Sequence, residues 1–245
     1  MAAYTGEDQI LQTRSVPELV REEIMRLITS GRLTAGDKLN ELDFARRFRI
    51  SRAPIREAFR ALEEAGLLKL ERNRGVYVRE IKEAEAKELY ELRALLDEMV
   101  GRQLAARITG AELAELEGWL VRLGEAASLD DMSQYYALNI EFHDRLVQMT
   151  GNATLLEFYR QVTGRMHLMR RYNFSVSLGS EKSQAEHREM VAALKTRNPD
   201  VAGTALRDHV MEAYQRLTAL LQAQPKRHVK PSSAAPSRAR GRRSA

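Results

Sequence analysis

Apolar residues recur at spacings of three and four across Leu39–Leu68. This period predicts two short helices joined by a tight polar turn, with one side of each helix buried. Two helices connected in this way are typical of a helix-turn-helix. The residues predicted to be buried are Leu42, Ala45 and Phe48 in the first helix and Ile55, Ala58, Phe59 and Leu62 in the second.

Start and stop signals mark the second of these helices. Ser51 stands where an N-cap residue is expected, and Pro54 lies in the first turn, where its missing N–H costs little. Gly66 is the expected C′ residue after the last turn. The sequence therefore predicts a helix from about residue 52 to residue 65.

Six arginines fall within fifteen residues of this segment, against one acid, Glu57. Arg52, Arg56 and Arg60 follow one another at intervals of four, so they share a helix face that differs from the apolar one. A basic amphipathic helix packed on any domain is the plain alternative, but the agreement of cap, faces and charge favours a helix that enters a DNA groove. The six are Arg46, Arg47, Arg49, Arg52, Arg56 and Arg60.

Two short β-like runs follow, Leu67–Glu71 and Val76–Arg79, joined by residues 72–75 with Asn and Gly suited to a hairpin turn. An amphipathic helix over Val16–Ser30, carrying Leu19, Ile24, Leu27 and Ile28, precedes them. A winged helix-turn-helix over residues 15–80 results, whose wing arginines would contact phosphate or the minor groove. The residues predicted to contact DNA are Arg46, Arg47, Ser51, Arg52, Pro54, Arg56, Arg60, Arg72, Arg74 and Gly75.

Residues 81–224 lack strand-like alternation and predict an antiparallel bundle of six helices. In the first of them, Leu89, Leu92, Leu96, Met99 and Leu104 predict one buried stripe. The fold class is therefore mainly α, with an N-terminal winged helix-turn-helix and a C-terminal all-helical antiparallel bundle. The predicted helices are Lys82–Thr109, Ala111–Ala126, Asp131–Thr150, Ala153–Tyr172, Glu181–Arg197 and Pro199–Ala223.

Three histidines of the bundle share helix faces with apolar residues and are predicted to point inward. His143 follows Asn139 by four residues, while His187 and His209 lie on later helices. Three converging imidazoles and an amide oxygen could form a metal site for a first-row ion. The alternative is three separately hydrogen-bonded core histidines, which is how His167 is interpreted. His228 is expected to be solvated.

Arg93 lies among leucines on the first bundle helix. A guanidinium there would pair with an anionic effector, because its geometry matches carboxylate or phosphonate oxygens. A structural ion pair with Asp97, four residues on, is the alternative and is slightly favoured.

Charge is distributed unevenly along the 245 residues. The net charge is +3 over residues 15–80, −4 over 81–224 and +7 over 225–245. The absence of cysteine excludes disulfides and cysteine-ligated zinc and suits the cytoplasm. No apolar run approaches the roughly 20 residues that span a bilayer, so no membrane association is expected.

The segments at the two ends of the sequence lie outside the two predicted domains. Residues 1–14 form an N-terminal extension, and the basic tail over 225–245 is expected to be disordered because it has almost no bulky apolar residues. The tail is either a nonspecific DNA-binding arm or a solvated terminus.

The N-terminal motifs resemble the DNA-binding domain of GntR-family bacterial transcription regulators. One position departs from that pattern, because Leu42 stands where many members carry arginine. The resemblance implies a homodimer that binds a palindromic DNA operator. The matching segments are Ile28–Glu41, Ile50–Ala58, Leu62–Leu68 and Arg74–Val78.

The bundle resembles FCD, the effector domain of the FadR-type branch of that family. The resemblance implies one divalent ion, zinc or nickel, held by the histidines. A metal-free cluster that contacts the effector directly is the alternative. The histidines and Arg93 suggest that the effector is a small anion. Asn139 replaces the usual aspartate, which removes one negative charge from the site. The implied metal ligands are Asn139, His143, His187 and His209, and the implied effector-binding residues are these four and Arg93.

Two other classes of function fit the sequence less well. A nonspecific nucleoid-type DNA-binding protein leaves the histidines unexplained. A three-histidine metallohydrolase needs a general base near the metal. Glu186 and Asp208 are the acids tied to the cluster in sequence, and both are expected to face elsewhere because each adjoins a histidine. The sequence therefore predicts a regulator and not an enzyme.

Overall fold

The computed structural model describes residues 15–129, 131–169 and 181–223. The N-terminal extension and the basic tail lie outside these residues. The winged unit comprises α1 (Val16–Thr29), β1 (Lys38–Leu39), α2 (Glu41–Phe48), α3 (Arg52–Glu64), β2 (Leu68–Glu71) and β3 (Gly75–Val78). The bundle comprises α4 (Glu83–Ala105), α5 (Gly110–Ser128), α6 (Met132–Met149), α7 (Ala153–Met166), a 3₁₀ turn (His167–Met169), α8 (Glu181–Lys195) and α9 (Pro199–Ala223).

The mainly α fold class is confirmed, and several helix ends differ from the prediction. The predicted helix Lys82–Thr109 stops at Ala105, because Thr109 instead caps α5 in a capping box with Glu112. The helix predicted to end at Tyr172 ends at Met166 and continues as the 3₁₀ turn. Residues 170–172 lie outside the described part of the chain. Among the described residues, no helix combines the length and apolarity that a bilayer crossing requires.

Local signals fix α3 as predicted. Ile55, Ala58, Phe59 and Leu62 are buried. At its C-terminus, Gly66 has φ +73°, its N–H donates to the Glu63 carbonyl and the Leu67 N–H donates to the Leu62 carbonyl. This is the Schellman arrangement that glycine favours. Ser51 occupies the N-cap position, but its side chain makes no capping hydrogen bond.

The buried faces of α1 and α2 differ from the prediction at two positions. Leu42 is 42% exposed, and Phe44 packs in its place, with its ring centroid 5.7 Å from that of Phe59. Leu42 lies in the first turn of α2, whose apolar face consists instead of Ala45, which is buried, and of Phe44 and Phe48, which are partly buried. In α1, Val20 is buried and Leu19 only partly so, because Val20 shares a face with Ile24.

The predicted wing forms, with an additional strand. Strands β2 and β3 pair antiparallel, with Leu68 opposite Val78. The two residues of β1 pair with the other edge of β3, so the described part of the chain contains a sheet of order β1-β3-β2. The sequence pattern does not predict β1, because two residues are too few to show an alternating pattern.

The stripe predicted to be buried on α4 is divided between two faces. Leu89 and Leu104 are buried, as predicted, and Leu96 is partly buried. Leu92 and Met99 are exposed, which corrects the prediction. Helix α4 is apolar on two sides, and only the side with Leu89, Val100 and Leu104 packs into the bundle.

Helices α4 and α9 pack closely through glycine. A Cβ placed on Gly101 would lie 2.5 Å from the backbone carbonyl oxygen of Ala202, and one on Gly203 would lie 3.1 Å from the carbonyl oxygen of Glu98. Neither backbone can move without separating the two helices. Gly101 therefore sets the distance between them.

Gly101→Ala is expected to destabilise the protein by about 1–3 kcal/mol, because the added methyl group forces two backbones apart. Gly118→Ala is the matched control, since a Cβ at this helical glycine would meet nothing within 4 Å. Alanine there should raise stability by about 0.5–1 kcal/mol through helix propensity. Chemical denaturation checks both variants. Equal effects in the two would contradict the close contact.

One apolar core extends from the winged unit into the bundle. It includes Val20 and Ile24 of α1 together with Val162 and Met166 of α7. Beside it, Glu85 of α4 accepts hydrogen bonds from Arg79, at 2.7 Å, and from Arg165 of α7. We call these three side chains the Glu85 bridge. The winged unit and the bundle are thus joined by both packing and charge.

Candidate functional site

Three buried histidines meet inside the bundle. His143 comes from α6, His187 from α8 and His209 from α9. Each offers one ring nitrogen, and these nitrogens lie within 4.8 Å of one another. The prediction that the three point inward and converge therefore agrees with the structure. His167 lies apart from them, with its Nδ1 3.0 Å from the hydroxyl of Tyr136.

Hydrogen bonds orient two of the rings. The Nδ1–H of His209 donates to Glu186 at 3.0 Å, so its Nε2 carries a lone pair, and this Nε2 lies 3.2 Å from Nε2 of His143. The Nδ1 of His187 lies 3.5 Å from the hydroxyl of Tyr135. Such outer partners fix which nitrogen is available to a ligand.

The three imidazoles are neutral near pH 7. Burial, together with the charges of Arg93 and Arg216, lowers the pKa of His209 to about 3. Burial also holds the pKa values of His143 and His187 well below the ordinary range. Neutral imidazole is the form that coordinates a metal ion.

Several buried polar atoms of the cluster lack a hydrogen-bond partner among the described residues. They are Oδ1 of Asn139, Nδ1 of His143 and Nε2 of His187. A buried polar atom without a partner costs about 1–3 kcal/mol. Three imidazole nitrogens within 4.8 Å of one another fit a divalent first-row ion, which would satisfy such atoms, and Asn139 lines the adjoining cavity one helical turn before His143.

Asp97 belongs to this neighbourhood, although the sequence suggested it only as a partner of Arg93. Its Oδ2 accepts from Nε of Arg93 at 3.3 Å, and its Oδ1 lies 3.8 Å from Nδ1 of His143. Burial raises the pKa of Asp97 to about 6, although Arg93 opposes the shift. Its position one turn after Arg93, on the same face, was the available signal.

Contrary to the prediction, Glu186 faces the histidines. It is buried, accepts from His209 and is paired with Arg216. The prediction was wrong because α8 packs against both α5 and α9, so neighbouring positions 186 and 187 are both covered. Asp208 is exposed and pairs with Arg207, as expected.

A cavity of about 90 Å³ adjoins the cluster. It has room for several water-sized groups, since one water needs roughly 10–15 Å³ of such volume. His143 and His209 line it, whereas His187 lies outside the described lining. Arg93 both lines the cavity and pairs with Asp97, so the two interpretations of this residue are compatible. The other polar lining residues include Tyr90, Tyr136, Asn139, Tyr159 and Arg216.

The predicted DNA-contacting side chains lie on the outer face of the winged unit. Arg52 and Arg56 of α3 both donate to Oε2 of Glu41, at 2.9 and 2.8 Å, yet each side chain remains 54% exposed. Glu41, which the sequence did not single out, orients both guanidiniums without burying them. Arg47 pairs with Glu23.

The remaining predicted contacts are also on or near the surface. Arg74 at the tip of the wing is exposed and lies 3.2 Å from Glu71, and Gly75 has φ +118°. Arg46, Ser51, Arg60 and Arg72 are exposed, and Pro54 is partly buried. The side chains predicted to contact DNA thus lie on α2, α3 and the wing and at the N-cap of α3.

Comparison with known families decides the relationship. Residues 18–78 match the gntR family of bacterial regulatory proteins, and residues 88–212 match the FCD domain. The chain belongs to the GntR family and carries an FCD domain. Family membership confirms the resemblance found in the sequence. As a GntR-family member, the protein is a DNA-binding transcriptional regulator and not an enzyme.

Named relatives agree with this assignment. The chain is 31% identical over 210 residues to a probable D-xylose utilization operon transcriptional repressor of Paenarthrobacter nicotinovorans, covering 85% of this chain and 91% of the relative. It is 26% identical to the HTH-type transcriptional repressor RspR of Escherichia coli (strain K12), covering 89% and 96%.

A solved structure shares the fold of this GntR-family regulator. E. coli McbR/YncC superposes with a TM-score of 0.75 at 23% identity, covering 86% of this chain and 99% of that one. At this identity the likeness concerns the fold, the winged unit followed by the helical bundle.

Proposed function

We propose that this regulator binds a divalent metal ion and a small anionic effector in its bundle and that their binding changes its affinity for a DNA operator. The observation that carries the proposal is the group of three neutral imidazoles whose nitrogens lie within 4.8 Å of one another beside a cavity. Separately satisfied core histidines would not leave Nδ1 of His143 and Nε2 of His187 without described partners.

His143, His187 and His209 hold the metal, zinc or nickel, with Asn139 as a weaker fourth ligand. When bound, the ion supplies positive charge at the edge of the cavity. Glu186 keeps the Nδ1 proton of His209 in place, so that Nε2 is the free ligand atom. Asn139 contributes no charge, so this site has a lower affinity than one with aspartate.

The effector is a small organic acid or phosphonate. Arg93 and Arg216 bring two guanidiniums to the cavity lining, and each is already held by a buried carboxylate, Asp97 and Glu186 respectively. Fixed guanidiniums favour an anion with two coplanar oxygens. The small cavity favours a compact metabolite over a long-chain one.

Residues 15–80 act as the DNA-binding unit and residues 81–224 as the effector-binding and dimerisation unit. Two copies place two α3 helices in successive major grooves of a palindromic operator. Arg52 and Arg56 contact guanine edges, and Arg72 and Arg74 contact phosphates or the minor groove. The exposure of Arg52 and Arg56 supports this assignment.

Helix α7 connects the two sites physically. Tyr159, Thr163 and Met166 on it line the cavity, and Arg165 on the same helix joins the Glu85 bridge to the winged unit. A ligand that shifts α7 therefore acts on the bridge.

Glu85→Gln is expected to weaken the coupling between metal and operator, because two guanidiniums lose their shared charge. The ratio of operator affinities with and without saturating zinc measures this coupling, which typically amounts to about 1–3 kcal/mol. In the variant it should fall toward zero. Glu83→Gln, in the same turn but exposed, is the control and should retain the coupling. Undiminished coupling in Glu85→Gln would rule out the bridge as the connection.

Footprinting of the DNA upstream of the protein's own gene tests the proposed function as a whole. A regulator protects a discrete palindrome, and its protection changes when zinc and small carboxylates are added. A thermal-shift screen of such acids identifies the effector, since a ligand that binds the folded state raises its stability. Uniform coverage of the DNA would favour the nucleoid-type alternative.

A further inference from the structure

Helix α4 carries an exposed apolar face on the side opposite to the bundle. Leu92 is 46% exposed, Leu95 63% and Met99 42%. Their spacings of three and four place them on one side of the helix. The other side, with Leu89, Val100 and Leu104, is buried. A contiguous exposed apolar patch of this kind is typical of a surface that packs against a partner.

The residues along this outer face follow the same order of small and apolar residues from either end, and an acid at one end matches a base at the other. From the N-terminal end the order is small, acidic, three apolar, basic, small. We call this the α4 stripe. Its residues are Ala84, Glu88, Leu92, Leu95, Met99, Arg102 and Ala106.

We propose that the α4 stripe is the contact between two copies of this chain, with the two α4 helices antiparallel about Leu95. This rests on the proposed function, in which two copies bind one operator. In that register Leu95 faces Leu95 of the partner subunit, and Leu92 faces Met99 of the partner subunit. The alanines at the two ends let the helices approach closely.

The charges on the α4 stripe favour a second copy of this chain as the partner and an antiparallel direction of the two α4 helices. The antiparallel register places Glu88 opposite Arg102 of the partner subunit, twice, because of the two-fold axis. A parallel pair would place Glu88 against Glu88. Within one chain, Nε and Nη1 of Arg102 donate to Glu98 and Asp200. A guanidinium has five N–H donors, so another carboxylate can still be accommodated.

Cysteine cross-linking tests the contact, since the chain has no cysteine of its own. Leu95→Cys should form a disulfide-linked dimer under mild oxidation, because residues on the axis of a close helix pair come within the roughly 4–7 Å between Cα atoms that a disulfide needs. Val121→Cys on α5, also an exposed apolar position at 60%, is the control and should remain monomeric on a non-reducing gel.

The register has its own test. Leu92→Cys alone should not cross-link, because the antiparallel arrangement about Leu95 separates the two copies of residue 92 by about six residues, or roughly 9 Å, along the helix axis. The double variant Leu92→Cys/Met99→Cys should cross-link. Equal cross-linking of Val121→Cys and Leu95→Cys would indicate random collision and would overturn the proposal.

Light scattering on the wild-type chain distinguishes a failure of the α4 stripe from a failure of the homodimer. A dimer in solution without a Leu95→Cys cross-link means that copies pair through another surface, which refutes the α4 stripe and leaves the homodimer intact. A monomer at every concentration, even on operator DNA, refutes the homodimer itself.

Leu95→Glu, checked for folding by circular dichroism, should raise the dimer dissociation constant about a hundredfold or more, because two carboxylates then face each other. An unchanged constant would also refute the stripe.

Discussion

Alanine in place of His143, His187 and His209 together is expected to abolish zinc binding by the bundle. These side chains provide all the nitrogen ligands of the cluster, and Asn139 alone cannot hold a divalent ion against water. Purified wild-type protein should contain close to one metal ion per chain by elemental analysis, and the triple variant should contain none. Isothermal titration of chelator-treated protein with zinc gives the same comparison in solution.

His167→Ala is the matched control for this experiment. It removes an imidazole that also lines the cavity but lies apart from the three converging rings. Its zinc content should equal that of the wild type. Wild-type protein free of metal, and unable to take up added zinc, would end the metal hypothesis and leave the cavity to bind an effector through its arginines alone.

Arg52→Ala should remove much of the protein's preference for operator over random DNA. A bidentate contact between arginine and guanine contributes about 1–3 kcal/mol of discrimination, which corresponds to about a 5- to 150-fold lower ratio of the two affinities. Fluorescence anisotropy with the two DNAs at one salt concentration measures this ratio. Arg145→Ala is the control, because Arg145 is also a surface arginine paired with a glutamate, here in the bundle.

Salt dependence distinguishes a base contact from a phosphate contact. If Arg52 only neutralises a phosphate, its loss weakens binding to both DNAs alike and lowers the salt slope by about one counterion. Retention of full discrimination in Arg52→Ala would show that Arg52 does not contact a base. Arg56→Ala then becomes informative, because Glu41 orients both guanidiniums and can hold either one alone.

Features set by nearby residues could be predicted from the sequence. The buried face and C-terminal glycine turn of α3 and the turn of the wing depend on contacts within a few positions, so period and residue type were sufficient. The inward orientation of His143, His187 and His209 could also be predicted, because each shares a helix face with apolar residues. That they meet at one site was implied by the resemblance to FCD. In each case the side of the element that becomes buried is visible in its own pattern.

Features set by packing between distant elements could not be predicted. Glu186 is buried because α8 is covered on two sides, which the apolar pattern of α8 alone does not reveal. Leu92 and Met99 of the α4 stripe were predicted to be buried in the bundle, because an apolar period in the sequence does not tell which side of a helix the rest of the chain covers. Strand β1 exists only because β3 offers a free edge. Each of these depends on where another segment lies.

The apolar core that unites α1 with α7 limits how this regulator can be re-engineered. Biosensor design often joins the DNA-binding head of one regulator to the ligand domain of another at the boundary between them. Here such a junction near residue 81 would separate Val20 and Ile24 from Val162 and Met166, which belong to one cluster. A working chimera must therefore include the surface of α7 that packs against α1 along with the winged unit. The winged unit alone would expose apolar side chains to water and would tend to aggregate.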